Sequence, residues 1–252
     1  MKSTMITGIT LILLAYVGFG LYLYVFQRSF LYHPTPAADS SRYNAITINK
    51  LKIWQVNPGQ PQALIYFGGN SEGVEHNLDD YQIMLPSYTL YFVNYRGFGG
   101  SPGKPSEAGL YEDALAVYDQ LPNHGAIAVV GRSLGSGIAT YLAARRKIDK
   151  LVLLTPYDSI VRVAQHHYPM YPASLLIKDK FESIKYASSI DADVLIVIAA
   201  LDQVIPPNHA YRLADAFPDN TVQIAFIEDG DHNSIHNNAT YQKKIRAFLM
   251  AD

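Results

Sequence analysis

A chain of 252 residues that is 49% hydrophobic can bury one sizeable core but is short for two independent ones. Its formal charge of -2, spread over 20 basic and 22 acidic residues without clustering, leaves no electrostatic footprint for nucleic acid. The lack of cysteine excludes a disulfide framework, a thiolate metal site and a cysteine-linked lipid.

Residues 5–26 carry no charge and are mostly aliphatic or aromatic, a run long enough to span a bilayer as a helix. Lys2 precedes it, Arg28 follows it, and Tyr22, Tyr24 and Phe26 gather at its C-terminal end, where ring side chains favour the membrane interface. The run is longer than the apolar core of a cleaved leader and no Ala-x-Ala-like site follows it. Residues 1–30 therefore read as a signal anchor rather than a signal peptide. The expected localisation is single-pass in a membrane with the remaining chain on the non-cytoplasmic side, although Lys2 and the amino terminus nearly balance Arg28 and Arg42.

After a Pro-containing connector at 33–38, residues 31–252 are expected to form one domain. Apolar segments of strand length alternate there with segments of helical period, which predicts an α/β fold: a mostly parallel twisted sheet with helices on both faces. Residues 46–56 alternate like a single exposed early strand, and 63–67 is a short apolar run ended by Gly68 and Gly69. Buried strands are expected at 90–93, 127–130, 151–154, 194–199 and 222–227. Helices are expected near 74–85, 110–121, 135–145, 209–217 and 240–250. The connection 155–192 is the longest, a lid-like insertion whose Tyr157, Tyr168 and Tyr171 either line an apolar substrate pocket or pack the insertion onto the sheet edge.

The pattern Gly-x-Ser-x-Gly occurs twice, around Ser133 and around Ser101. A serine nucleophile on a strand-to-helix turn needs small flanking residues and a backbone N–H on the next residue to help bind an oxyanion. Pro102 has no N–H, whereas Ser133 follows the 127–130 run directly and opens a helical segment. Ser101 is expected in a tight loop. Serine needs an imidazole base, and that base needs a carboxylate to orient it, in the chain order Ser, acid, His. Asp202 lies just past the 194–199 strand and His232 just past the 222–227 strand, so both fall at the C-terminal edge of the sheet with Ser133. Asp158 is the alternative acid, and His236, His166, His167 and His209 are alternative imidazoles. The backbone N–H groups of Leu134 and Asn70 are the candidate oxyanion hole, Asn70 following the small residues Gly68 and Gly69. Arg132 reads as an ion-pair partner. The run 97–104 lacks Walker spacing, and no His-Glu-x-x-His or similar ligand cluster occurs, so neither a phosphate loop, a catalytic metal nor any other cofactor is expected.

With these residues in place, the chain resembles the α/β-hydrolase superfamily, in particular membrane-anchored hydrolases related to the bud-emergence and ABHD-type proteins, near the serine aminopeptidase-like group. The resemblance covers nearly the whole length. It is carried by Gln27-Arg28-Ser29-Phe30-Leu31-Tyr32-His33-Pro34, by Asn94-Tyr95-Arg96-Gly97-Phe98-Gly99-Gly100-Ser101-Pro102-Gly103, by 131–137, by 202–206 and by His232-Asn233. It implies the α/β-hydrolase fold, with Ser133 as nucleophile, Asp202 as acid and His232 as base. Relatives usually have histidine where Gly68 stands. The implied activity is hydrolysis of a carboxylic ester or thioester, with a lipid or an acylated protein at the membrane as substrate. The alternatives are an amidase or peptidase on the same residues, and a non-catalytic membrane-bound interaction module.

Overall fold

The computed structural model describes residues 2–39, 42–122 and 125–251, so the expected outer bounds at 1 and 252 lie outside the described residues. Eight strands form one sheet in the order β1-β2-β4-β3-β5-β6-β7-β8. They are β1 (Asn44–Ile48), β2 (Leu51–Val56), β3 (Gln62–Phe67), β4 (Tyr88–Val93), β5 (Ala126–Arg132), β6 (Lys150–Leu154), β7 (Asp193–Ala199) and β8 (Val222–Ile227). The β1–β2 and β2–β4 pairs are antiparallel, and the pairs from β4 through β3 to β8 are parallel.

The central strands read as continuous apolar runs because both faces are covered. Ile65 and Phe67 of β3 point into one core with Val129 and Leu153, while Leu64 and Tyr66 point into the other with Val130 and Val152. The first face is covered by α3 (Glu107–Gln120), α4 (Leu134–Ala143) and α8 (Pro207–Ala214), through residues such as Leu110, Ile138 and Leu213. The second is covered by α2 (Leu78–Met84) and α9 (Ala239–Leu249), through Tyr81 and Ile245. Side chains of period two on the strands thus meet side chains of helical period on both sides.

One expectation needs correcting. Residues 46–56 are not one strand but part of the β1–β2 hairpin, whose Ile48 faces Leu51 across the two-residue turn Asn49-Lys50. Both turn residues have positive φ, 50° and 68°, as the tight hairpin turn with the twist of its strands demands. Asn49 and Lys50 are two successive polar residues that shift the apolar alternation from 46 and 48 to 51 and 53, but no glycine marks the turn. The helix expected at 74–85 divides into a 3-10 turn, Val74–Asn77, and α2.

Before the sheet, α1 (Lys2–Leu31) is the one described helix long and apolar enough to cross a membrane, with a mean hydropathy of 2.1 over its most apolar window. Its 30 residues rise about 45 Å. Between β6 and β7 the insertion carries α5 (Ile160–His167), α6 (Ala173–Leu176) and α7 (Ile184–Ala187).

Candidate active site

The chain runs from β3 to β4 on one side of β3, then returns to place β5 on the other side. This reversal opens a crevice at the carboxyl ends of β3 and β5, the place where open α/β sheets bind ligands. Phe67 is in register with Gly131, so the loop after β3 and the turn after β5 face each other across the crevice.

Ser133 sits at that turn with φ 48° and ψ -115°, a strained backbone for a non-glycine residue. Its N–H donates to Leu154 O at 2.9 Å, and its own carbonyl accepts from Ser136 N at 2.9 Å. The flanking glycines are sterically required. A Cβ on Gly131 would lie 2.5 Å from Gly135 O and 2.6 Å from Ala139 Cβ, and one on Gly135 would collide with Phe67 O. The motif therefore allows a helix to start tight against two strands while the serine hydroxyl projects into the crevice.

His232 Nε2 lies 2.9 Å from Ser133 Oγ, and His232 Nδ1 lies 2.7 Å from Asp202 Oδ2. The second carboxylate oxygen of Asp202 accepts from the backbone N–H groups of Val204 at 2.9 Å and Ile205 at 2.7 Å. The loop thus folds around the carboxylate, fixing its orientation and leaving Oδ2 for the imidazole. With Asp202 accepting at Nδ1, the neutral imidazole presents a lone pair at Nε2 towards the serine, the arrangement a general base requires.

Leu134 and Asn70, the two backbone donors singled out in the sequence, border the same cavity as Ser133 and His232. Among the described residues, neither N–H donates to another protein group. Gly69 N–H, by contrast, is taken by Glu72 Oε2 at 2.5 Å. Asn70 is held from the connector, its Oδ1 accepting from His33 N–H at 2.8 Å.

Glu72 had no motif to mark it. Besides Gly69 N–H, it accepts from the Tyr66 hydroxyl at 2.7 Å and from Asn77 Nδ2 at 2.6 Å, and it faces Arg132 Nη1 at 3.4 Å. Arg132 Nη2 donates in turn to the carbonyls of His232 at 3.3 Å and Asn233 at 3.2 Å. One nearly buried ion pair therefore ties together the loop after β3, the serine turn and the histidine loop. Arg132 is an ion-pair partner, as its sequence position indicated.

Of the remaining candidates, His167 borders that same cavity, its Nε2 3.0 Å from Val204 O, and Ser101 and Asp158 are engaged elsewhere. Ser101 donates to Asn94 O at 2.8 Å and accepts from Lys52 N–H at 2.9 Å, in a loop where Gly99, Gly100 and Gly103 all have positive φ. Its hydroxyl is spent on holding that loop to β2. Asp158 pairs with His209 Nδ1 and with Arg212 Nε, both at 2.7 Å. Burial opposes its charge, but these hydrogen bonds outweigh burial and hold its carboxyl below the ordinary range. His166 and His167 stand on α5, and His236 lies in the 3-10 turn Ile235–Asn237.

A cavity of about 490 Å³ opens from Ser133 and His232 between the insertion and the end of α1. Tyr157, Tyr168 and Tyr171 all border it, but they differ in character. Tyr157 is fully buried, its hydroxyl donating to Leu134 O at 3.0 Å, so it shapes the floor beneath the serine turn. Tyr171 stacks on Tyr16 of α1 with ring centroids 4.7 Å apart, and Tyr168 is half-exposed at the rim.

A family model described as the alpha/beta hydrolase fold matches residues 67–180. An uncharacterized protein of Mycobacterium tuberculosis is 29% identical over 81% of this chain and 80% of its own length. An uncharacterized membrane protein of Saccharomyces cerevisiae is 25% identical over 86% of this chain and 82% of its own. Among solved structures, an esterase of Pyrococcus furiosus superposes with a TM-score of 0.68 at 17% identity, over 86% of this chain and 96% of its own; that likeness concerns the fold. With the sheet order, the strained serine turn after β5 and these similarities in view, the chain has the α/β-hydrolase fold.

Proposed function

We propose that the chain is a membrane-held serine hydrolase that cleaves a carboxylic ester or thioester through an acyl-Ser133 intermediate. The observation that carries the reading is the line from Asp202 Oδ2 through both nitrogens of His232 to Ser133 Oγ, in steps of 2.7 and 2.9 Å. In this mechanism His232 Nε2 removes the Ser133 proton as Oγ attacks the carbonyl carbon, and Asp202 stabilises the imidazolium that forms. The tetrahedral oxyanion is received by the N–H groups of Leu134 and Asn70. His232 then returns the proton to the departing alcohol or thiol, and water repeats the sequence in reverse order to release the acid and free Ser133.

The membrane part of the proposal rests on the length and hydropathy of α1. The proposed side is non-cytoplasmic, supported by an amino-terminal flank that carries Lys2 and no acidic residue. Because the chain has no cysteine, a single Ser188→Cys variant labelled with a membrane-impermeant maleimide in sealed vesicles reads the side directly. For the chemistry, the test is labelling of the full chain in detergent by a fluorophosphonate probe. Labelling of wild type and Ser101→Ala, with none of Ser133→Ala, is expected. Absence of labelling in the folded wild type would overturn the reading in favour of a binding module.

A further inference from the structure

We infer that the C-terminal turns of α1 are a wall of the substrate pocket, and that the site takes esters or thioesters of long unbranched acyl chains drawn laterally from the lipid leaflet. The inference rests on the serine-hydrolase reading and extends it to a substrate class. Three observations carry it.

The cavity that begins at Ser133 continues along α1, where Leu23, Phe30 and Leu31 face Val163, Leu176 and Ile177 of the insertion. Away from the reacting atoms its walls are mostly aliphatic and aromatic, so they offer a methylene chain favourable contact and few partners to a polar leaving group. From Leu23 to Leu31 the helix rises about 12 Å, a length of wall along which an extended acyl chain can lie.

The helix is built into the domain and does not merely tether it. Gly20 is the buried residue of α1, and a Cβ there would lie 2.8 Å from Tyr171 Cε1. Tyr171 stacks on Tyr16 and its hydroxyl donates to Tyr16 O at 2.9 Å, while the Tyr16 hydroxyl donates to Met170 O at 2.6 Å. Gln27 donates to Leu176 O at 3.1 Å and accepts from Lys178 N–H at 2.7 Å, and Arg28 forms a two-bond pair with Asp179 at 2.7 and 3.0 Å. Polar contacts of this number fix the position of the helix against the pocket, where a tether would leave it free.

The insertion also lies at membrane depth. Tyr16 is ten residues before Phe26, the end of the uncharged run, which is about 15 Å along the helix axis. Its contacts with Met170 and Tyr171 therefore bring this corner of the insertion alongside the apolar span. There Met170 is 64% exposed and Leu175 80% exposed, unfavourable in water and favourable in hydrocarbon. The mouth of the pocket opens where acyl chains already are.

The test uses the full chain in detergent micelles and compares kcat/KM for p-nitrophenyl palmitate, octanoate and acetate. Leu23→Trp is expected to lower the palmitate-to-acetate ratio at least tenfold, and Leu23→Ala to move the preferred length upward. Gly20→Ile, which displaces Tyr171, is expected to lower the same ratio even if the triad remains reactive. Val25→Ala, 57% exposed on the side of α1 opposite Tyr16 and Leu23, is expected to leave it unchanged. Fluorophosphonate labelling of each variant separates the two claims. Labelled variants with an unaltered length preference would overturn the wall and the acyl class while leaving the serine hydrolase standing, and loss of labelling in wild type would remove the foundation itself.

Discussion

Two buried carboxylate–imidazole pairs occur in this molecule, and both have the same 2.7 Å contact at Nδ1. In one, Asp202 holds His232; in the other, Asp158 holds His209. Both aspartates follow parallel strands, β7 and β6, at the same edge of the sheet. What separates them is the far side of each ring. His232 Nε2 meets the hydroxyl of Ser133, whereas His209 Nε2 is buried with no partner among the described residues. The carboxylates differ too. Asp202 is completed by two backbone N–H groups of its own loop, while Asp158 is neutralised by Arg212 at 2.7 Å and Arg162 at 3.5 Å. An aspartate–histidine pair by itself is a way to staple a helix to a strand end. On the proposed mechanism it becomes a catalytic base when a nucleophile is delivered to Nε2 and the charge is left free to compensate an imidazolium.

The comparison breaks most sharply at Ser133, the proposed nucleophile. Ser133→Ala is expected to lower kcat for a p-nitrophenyl ester by about a millionfold, while Ser101→Ala leaves activity of the folded protein within about threefold of wild type, its hydroxyl serving only the loop. Asp202→Asn is expected to cost about four orders of magnitude in kcat, because the wrong imidazole tautomer then faces the serine. Asp158→Asn should leave kcat nearly unchanged. It should instead lower the unfolding free energy by about 3–5 kcal/mol, the cost of breaking a buried pair, measured by urea denaturation. A large loss of kcat in Asp158→Asn with stability intact would reverse the assignment of the two pairs.

Between these extremes stands the Glu72–Arg132 pair, which touches none of the proposed reacting atoms and joins the three loops that carry Asn70, Ser133 and His232. Glu72→Gln and Arg132→Met are expected to lower kcat by up to about a hundredfold through misplacement of the oxyanion loop, with KM altered far less. Arg132→Lys, which restores the charge but not the two-direction fork, should recover only part. A change confined to KM or to stability would mean that the pair supports the fold and not the alignment of the loops.

Much of the fold was legible because β3 to β7 are mostly buried apolar runs closed by turn residues, and the longer helices between strands show their own period. That Ser133, Asp202 and His232 meet also follows from this alternation. Each comes directly after a strand of one parallel sheet, and all parallel strands end at the same edge. The β1–β2 hairpin was easy to miss, because its only signal is the phase shift that the two polar residues Asn49 and Lys50 put into the alternation, and no glycine marks the turn. Glu72 was hidden for another reason. Its role lies in contacts with Tyr66, Asn77 and Arg132, and a lone glutamate before a helix gives no local sign of partners contributed by another strand. The packing of α1 was equally silent, because hydropathy reports that a helix suits lipid and says nothing about which face meets protein. Gly20 and Tyr16 carry that information, but only once Tyr171 is placed beside them.

The smallest expected effect is a difference in how the two pairs respond to acid. Asp158 has its carboxyl held below 3.8 by His209 and Arg212 in spite of burial. Over the range between its folded and unfolded values, the unfolded chain binds more protons, so stability rises with pH there. The contribution is complete above the unfolded value of about 4 and is lost as pH falls through the folded value. The stability gap between wild type and Asp158→Asn should therefore be full above about pH 5 and should narrow as pH falls below about 4, when both unfolding curves are measured at matched salt. Other carboxylates unfold both proteins in acid alike, so the difference between the curves isolates this one. A gap that stays constant with pH would mean that α8 is held to the end of β6 by the shape of the Asp158 side chain and its hydrogen bonds, and that its negative charge is not what keeps His209 and Arg212 in place.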